Sequence, residues 1–152
     1  MNPGYVGALA SVRAAVERLP EPERFLCTVP DGCEEVPAVL LGFDQYARFL
    51  RVADGLYADV VRIYSVKECL ARQYMVGRVK DELAVGDVLG DVLVLSEQGV
   101  VQREVDREYS RVVSGSFDGL VSVLFDAEAF RGAFLGSGTE SPWLTALAFA
   151  SV

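Results

Sequence analysis

The sequence predicts an α+β fold in which a mixed, mainly antiparallel sheet is flanked by helices. Two observations lead to this prediction: a β-hairpin pattern near the middle of the chain, and apolar residues at helical spacing before and after it. The chain has 152 residues and 51% of them are hydrophobic, a size and an apolar content that suit one hydrophobic core. Residues 1–152 are therefore predicted to form a single domain.

The hairpin pattern lies in residues 92–105. Residues 92–95 (Val-Leu-Val-Leu) are a short apolar run of the kind found in strands that are buried on both faces. A Ser-Glu-Gln-Gly turn follows at 96–99, and residues 100–105 are predicted to return as the partner strand.

Two other segments have the composition of strands. Residues 57–64 contain several β-branched side chains and predict one strand, and residues 24–29 predict a shorter one. The Gly-Asp pairs at 86–87 and 90–91 are interpreted as turns before the hairpin, because these residue types favour turn conformations.

Five segments have apolar residues at spacings of three and four, which is the pattern of an amphipathic helix. They cover residues 8–19, 44–53, 66–75, 117–125 and 142–149. Cap residues support three of these predictions: Asp44 is placed to cap the N-terminus of the second segment, Ser65 and Glu68 have the spacing of a capping box, and Ser141 followed by Pro142 is a typical helix start. The last segment predicts a short helix in the 136–152 tail that docks on the rest of the domain.

Acidic residues outnumber basic ones, and they do so in only one half of the chain. There are 22 Asp and Glu against 14 Lys and Arg, which gives a net charge of -8. Residues 1–80 hold 10 acids and 10 bases, whereas residues 81–152 hold 12 acids and 4 bases. Such a field repels the phosphates of nucleic acids and favours a partner with a basic surface. The simpler interpretation is that the acidic residues serve solubility alone.

The sequence lacks the residues that most catalytic and metal sites need. It contains no histidine, which is the commonest general base and a frequent metal ligand. Cys27 and Cys33 do not have the spacing of a zinc knuckle, and no second pair of ligands completes a site. The glycine-bearing segments 86–91 and 115–119 have neither a phosphate-loop lysine nor the glycine spacing of a dinucleotide site. No catalytic residue, metal site or cofactor is therefore predicted.

The N-terminal residues and the cysteines indicate a compartment. The chain has no signal-peptide pattern and no apolar run of about 18 residues. The odd number of cysteines, Cys27, Cys33 and Cys69, suits free thiols in a reducing environment. We therefore expect a cytoplasmic protein that does not contact a membrane.

Some acidic and aromatic residues have two interpretations. Asp81 with Glu82, and Asp87 with Asp91, have the residue types for acid-base chemistry or for holding a divalent cation. Because too few further oxygen ligands follow at regular spacing, they are interpreted as solvated loop acids. Core packing is likewise favoured over a ligand cage for four aromatic residues at helical and strand spacing: Tyr46, Phe49, Tyr57 and Tyr64.

Three blocks of sequence occur in a distinctive order. They are residues 46–57 (Tyr-Ala-Arg-Phe-Leu-Arg-Val-Ala-Asp-Gly-Leu-Tyr), residues 63–68 (Ile-Tyr-Ser-Val-Lys-Glu), and residues 90–95 (Gly-Asp-Val-Leu-Val-Leu) leading to Gly99-Val100-Val101. With Ser116-Phe117, they resemble the SUKH superfamily over residues 40–130. In that family a Tyr-x-x-Phe-Leu helix ends in an Asn/Asp-Gly corner, a strand ends in Tyr-Ser before a short helix, and a Gly-Asp turn opens a central hairpin. The tail after residue 136 has no obvious counterpart.

The resemblance implies both a fold and a class of function. A SUKH-like protein is expected to have a mixed sheet flanked by helices, and many members are immunity proteins encoded beside bacterial polymorphic toxins, often nucleases or deaminases. The implied function is to neutralise a cognate toxin with a basic surface by direct binding. An intracellular SUKH-like scaffold or regulatory protein with no toxin partner is the alternative, because a fold alone does not decide function. An enzyme that uses carboxylates, tyrosine or Cys69 is a third hypothesis.

The candidate partner-binding residues are one aromatic residue and several acids beside the predicted corner and turns. They are Asp54, Tyr57, Asp59, Asp87 and Asp91. Tyr57 is the candidate anchor, because aromatic residues often dominate the energetics of protein interfaces. The acids also have structural interpretations: Asp54 can cap a corner, and Asp91 can order a turn.

Overall fold

The computed structural model describes residues 4–76, 81–104, 110–136 and 138–151. These residues form one antiparallel sheet, and its apolar side chains join those of the helices in a hydrophobic core. The predicted α+β class, with helices flanking a mainly antiparallel sheet, is confirmed.

The described part of the sheet has seven strands, and each is antiparallel to the next one along the chain. The strands are β1 (Cys27–Thr28), β2 (Leu56–Ala58), β3 (Val61–Ile63), β4 (Leu83–Val88), β5 (Asp91–Ser96), β6 (Gly99–Arg103) and β7 (Ser110–Ser114). Their order in the sheet is their order in the sequence. The predicted hairpin consists of β5 and β6; Val105, the predicted end of its second strand, lies outside the described residues.

The described residues also form six α-helices, five of which fall on the predicted segments. The helices are α1 (Tyr5–Val16), α2 (Asp44–Val52), α3 (Val66–Ala71), α4 (Phe117–Leu124), α5 (Ala127–Phe134) and α6 (Pro142–Ala150). Only α5 was not predicted. The predicted capping box is confirmed, because the Ser65 hydroxyl accepts from the Glu68 N–H and the Glu68 carboxylate accepts from the Ser65 N–H, both at 3.1 Å. The Ser141 hydroxyl accepts from the N–H of Trp143 at 3.2 Å, which confirms the second cap. The predicted cap at Asp44 is wrong, because α2 begins at Asp44 itself and no side chain caps its first turn.

The prediction of a single strand over residues 57–64 is wrong, because this segment is the β2–β3 hairpin. Its turn contains no glycine and therefore leaves no clear sign in the sequence. Asp59, in the turn, has a φ of 59°, a left-handed conformation that Asp tolerates better than most residues. Its N–H donates to the Leu26 carbonyl at 2.7 Å, and its carboxylate accepts from the Ser141 hydroxyl at 2.8 Å. These contacts hold the turn in place.

The Gly-Asp pair at 86–87 is not a turn either, since both residues lie inside β4. A glycine is needed there because β3 passes close by: a Cβ on Gly86 would come within 2.2 Å of the Arg62 carbonyl oxygen. The turn between β4 and β5 is instead the pair Leu89-Gly90. The strand predicted over residues 24–29 is reduced to β1, which follows a 3-10 helix at Glu23–Leu26.

The C-terminal helix docks on the domain, as predicted. Helix α6 packs against α1, and its Trp143 is completely buried. The indole N–H of Trp143 donates to the Leu124 carbonyl at the end of α4 at 2.6 Å, and its ring lies 5.8 Å from the ring of Phe125. The tail is therefore an integral part of the hydrophobic core.

Two buried tyrosines in the core differ in their hydrogen bonding. The hydroxyl of Tyr46, on α2, donates to the Tyr64 carbonyl at 2.6 Å and so joins α2 to the end of β3. The hydroxyl of Tyr5, on α1, is buried and has no hydrogen-bond partner among the described residues. Tyr46, Phe49 and Tyr64 are all completely buried, which confirms their interpretation as core residues. For Tyr57 this interpretation is wrong, because its side chain is partly exposed and lies outside the core.

Removing each hydroxyl in turn tests the importance of the bond between α2 and β3. Tyr46→Phe is expected to lower the free energy of unfolding by about 1–3 kcal/mol, because it leaves the buried Tyr64 carbonyl without its donor. Tyr5→Phe is the matched control; it removes a buried hydroxyl that has no described partner, so a loss of less than about 0.5 kcal/mol is expected. Urea unfolding followed by circular dichroism measures both. Equal losses in the two variants would contradict the role given to the Tyr46 hydroxyl.

Candidate protein-binding surface

A row of side chains crosses strands β1 to β4 on one face of the sheet. The register pairs Thr28 with Tyr57, Tyr57 with Arg62, and Arg62 with Asp87, and cross-strand partners lie on the same face. We call these four residues the Tyr57 surface, and all four are partly or largely exposed. Two predicted candidates, Tyr57 and Asp87, thus lie on one surface with Arg62 between them.

Arg62 organises the charges of the Tyr57 surface. Its Nε and Nη2 donate to Asp87 Oδ2 at 3.2 and 2.7 Å, and its Nη1 donates to Glu68 Oε2 at 3.3 Å. Burial disfavours the charged guanidinium, but the hydrogen bond and negative charge of Asp87, followed by the charge of Glu68, outweigh this and raise the pKa of Arg62. Arg62 therefore stays charged and compensates the negative charge of Asp87.

The buried side chain of Tyr64 also binds the Asp87 carboxylate. Its hydroxyl donates to Asp87 Oδ2 at 2.9 Å. Burial, and then the charge of Asp87, raises the pKa of Tyr64 above its usual range, so this hydroxyl remains a donor. Its ring also lies near two guanidinium groups, with centroid distances of 5.5 Å to Arg62 and 5.1 Å to Arg72. Asp87 Oδ2 thus accepts three hydrogen bonds, and the protein itself fixes its position.

Two shallow hollows flank the Tyr57 surface, and both are lined by Tyr57 and Arg62. The first has a volume of about 230 Å³, lies between the β2–β3 and β4–β5 turns, and includes Asp59 and Asp87. The second has a volume of about 190 Å³, lies beside the start of α3, and includes Asp54. Small-molecule sites usually exceed about 300 Å³. Hollows of this size suit single side chains of another protein better than an enclosed ligand.

Asp54 and Asp59 lie on the rims of these hollows, but their carboxylates also serve the fold. Asp54 Oδ1 accepts from the N–H of Val66 at 2.9 Å, which ties the corner after α2 to the first turn of α3. Asp59 accepts from Ser141 and so ties the β2–β3 turn to α6. The contact of Asp54 supports its structural interpretation as a corner cap, whereas the structural role of Asp59 was not predicted. The two acids still carry negative charge next to Tyr57.

The structure does not bring Asp91 to the Tyr57 surface. The register pairs Asp87 with Val92 and Val88 with Asp91, so Asp87 and Asp91 lie on opposite faces of the sheet. Asp91 accepts from Gln102 Nε2 at 2.9 Å, and the Gln102 side chain in turn accepts from Arg111. This carboxylate therefore links β5 to β6 and β7, and the interpretations of Asp91 as a turn-ordering residue and as a solvated loop acid are wrong.

A larger hollow, which the sequence does not predict, lies at the other end of β5. It has a volume of about 530 Å³ and lies between the first turns of α2 and α4, and we call it the acidic hollow. Its described lining residues include the exposed acids Asp44, Asp81 and Glu97 and no Lys or Arg. Helix N-termini attract anions, but three carboxylates oppose a phosphate group here. These acids come from separate elements, so no sequence motif marks the hollow.

The buried cysteines do not have the character of nucleophiles. Cys69, on α3, is completely buried, and its thiol donates to the Ala84 carbonyl at 3.2 Å. Burial raises the pKa of Cys69 to about 11 and that of Cys27 to about 12, so both thiols are protonated at neutral pH. A reactive cysteine needs access and a lowered pKa. Cys69 therefore lacks what the enzyme hypothesis requires of it.

The described residues contain neither a candidate metal site nor a helix that could span a membrane. Within the described ranges, no group of three or more Cys, Asp or Glu side chains is arranged to hold a metal ion. No helix there is long and apolar enough to cross a bilayer, the longest being α1 with 12 residues.

No family model matches the chain, and no curated protein or solved structure gives a significant match. The SUKH resemblance therefore stays a prediction that rests on the sequence motifs.

The burial of the thiols predicts an order of chemical reactivity. Cys33 is partly exposed, whereas Cys27 and Cys69 are buried, so a thiol reagent is expected to modify Cys33 first and the other two only on unfolding. Counting modified thiols with Ellman's reagent before and after adding guanidinium checks this order. Cys33→Ser is the control, and it should remove the early reaction. Early modification of Cys69 in the folded protein would contradict its assigned burial.

Raising the pH above about 9 is expected to lower the free energy of unfolding. The pKa values of Cys27 and Cys69 in the folded protein lie above the ordinary value of 9.0, so the folded state holds these protons more tightly than the unfolded state. Their contribution is fully present below about pH 9 and is lost as the pH rises towards about 11 for Cys69 and about 12 for Cys27. Urea unfolding at about pH 7 and at about pH 10 measures this loss of unfolding free energy. The loss is expected to be smaller in Cys69→Ala, which lacks one of the two thiols. An unfolding free energy that stays constant over this range would contradict the assignment.

Proposed function

We propose that this chain is an acidic, cytoplasmic protein-binding module of the SUKH immunity type, which neutralises a bacterial toxin of the nuclease or deaminase class by direct contact. The observation that carries the proposal is the Tyr57 surface. It presents a partly exposed aromatic ring, on a sheet, between two hollows that carry acidic residues. The sequence motifs that resemble the SUKH superfamily supply the class of partner.

The rigidity of the Tyr57 surface supports a role in binding. Tyr57 lies on β2, which pairs with β1 on one side and β3 on the other. Its neighbours Arg62 and Asp87 are held by the hydrogen bonds to Glu68 and Tyr64. A surface that is ordered before contact loses less conformational entropy on association, which favours affinity.

The charge of the chain supports a basic partner. A net charge of -8 attracts positively charged proteins over distances longer than a contact, and this raises the association rate. Asp81 and Glu97, in the acidic hollow, are exposed and form no ion pair with a described residue. A nuclease toxin, whose substrate is an anion, is the kind of partner that such a field favours.

A binding assay with the neighbouring gene's product tests the proposal. The purified, catalytically inactivated protein encoded next to this chain's gene is expected to bind, and Tyr57→Ala is expected to weaken the affinity by about 30-fold, the loss typical of an aromatic anchor. Tyr74→Ala is the matched control, because Tyr74 is 79% exposed and lines neither hollow of the Tyr57 surface. Calorimetric titration measures the affinities.

The salt dependence and the activity of the partner complete the test. Affinity is expected to fall as salt is added, because ions screen the attraction between exposed charges. The wild-type chain is also expected to inhibit the active toxin at a one-to-one ratio. A complex that forms without inhibition favours the scaffold or regulatory alternative, and equal affinities for the Tyr57→Ala and wild-type chains would place the interface elsewhere.

A further inference from the structure

The turn between β4 and β5 has an unusual residue at its first position. It is the two-residue turn Leu89-Gly90, and both residues have a positive φ, 50° for Leu89 and 99° for Gly90. This is the φ pattern of a type I′ turn, for which Asn-Gly and Asp-Gly are the preferred sequences. A leucine is strained in this region, because its Cβ comes too close to the following carbonyl oxygen.

Packing within the fold does not explain the leucine. Its side chain is 76% exposed and is not part of the hydrophobic core. Its N–H donates to the Val60 carbonyl at 3.2 Å, but every residue except proline can make this bond. A single exposed leucine is ordinary, whereas an exposed leucine on a strained backbone destabilises the turn with no compensating contact. Strain of this kind concentrates at functional sites.

The surroundings of Leu89 indicate which kind of partner surface is complementary to its side chain. It lines the hollow of about 230 Å³ beside the Tyr57 surface, together with Tyr57, Asp59, Arg62 and Asp87. The turn that carries Leu89 is also tied to the neighbouring β2–β3 turn through Val60. Leu89 is therefore an apolar group at the tip of a fixed hairpin, next to an aromatic ring. Arg62 compensates the charge of Asp87, whereas the Asp59 carboxylate has no basic partner among the described residues, so the hollow keeps a negative charge. The complementary surface is an apolar pocket with a basic rim.

We propose that Leu89 is an apolar anchor, which inserts into an apolar pocket rimmed by Lys or Arg side chains on the protein partner. This inference rests on the proposed function and deepens it, because it names the chemistry of the partner's contact surface. The left-handed backbone presents the leucine at the tip of the hairpin, where a partner reaches it without rearrangement. The strain that destabilises the free turn is thus compensated in the complex.

The variant Leu89→Asn separates stability from binding. Asparagine is the residue that the turn favours, so the free protein is expected to gain about 2–4 °C in its melting temperature. The same variant is expected to bind the catalytically inactivated product of the neighbouring gene about 10-fold more weakly or worse, because the apolar contact is lost. Differential scanning calorimetry and calorimetric titration measure the two quantities on the full chain.

Leu41→Asn is the matched control. Leu41 is 46% exposed, has a φ of -66° and lines neither hollow of the Tyr57 surface, so neither a gain in stability nor a loss of affinity is expected. If Leu89→Asn binds as the wild type does while Tyr57→Ala binds more weakly, the anchor is overturned and the proposed function stands. A lower melting temperature for Leu89→Asn overturns the strain on which the inference depends. If the wild-type chain does not bind at all, both proposals fail.

Discussion

The hydrogen bond from the Tyr46 hydroxyl to the Tyr64 carbonyl is the contact on which the Tyr57 surface depends. It is completely buried, so water does not replace it, and it fixes helix α2 against the end of β3. The side chain of Tyr64 then donates to Asp87, which holds Arg62. A continuous chain of hydrogen bonds therefore runs from the core to the exposed face. Each donor in it is satisfied before any partner arrives.

This chain of contacts separates the residues that build the surface from those that are available to a partner. Asp87 is acidic and partly exposed, yet one of its oxygens accepts three hydrogen bonds and its charge is compensated by Arg62. Reversing the charge of Asp87 would leave a partly buried guanidinium beside a like charge, and the fold would suffer together with any interface. Tyr57 and Leu89 have no such role, since their side chains can be shortened without removing a hydrogen bond that the described residues make.

The sequence predicted those elements that local chemistry decides. The caps at Ser65 and Ser141 are confirmed because a cap needs only a side chain and an N–H two or three residues away. The β2–β3 turn was missed because the left-handed backbone of Asp59 is supported by Leu26 and Ser141, which are far away in sequence. The prediction of a turn at Gly86 is wrong for the same reason. A Cβ at this position would clash with the backbone of β3, and no local sequence pattern reveals that contact.

The sequence predicted some of the residues of the candidate site, but it did not predict how they are arranged in space. The sequence identified Tyr57 and Asp87, but Asp91 is separated from them because the turn at Leu89-Gly90 puts Asp87 and Asp91 on opposite faces. The net charge also does not show where on the protein the exposed acids lie. Exposed acids that form no ion pair with a described residue, such as Asp81 and Glu97, lie at the other end of β5 from the Tyr57 surface. Charges attract over roughly a Debye length of 8–10 Å, whereas an apolar anchor acts only on contact. We infer that the acids accelerate the encounter, and that Tyr57 and Leu89 determine how long the complex lasts.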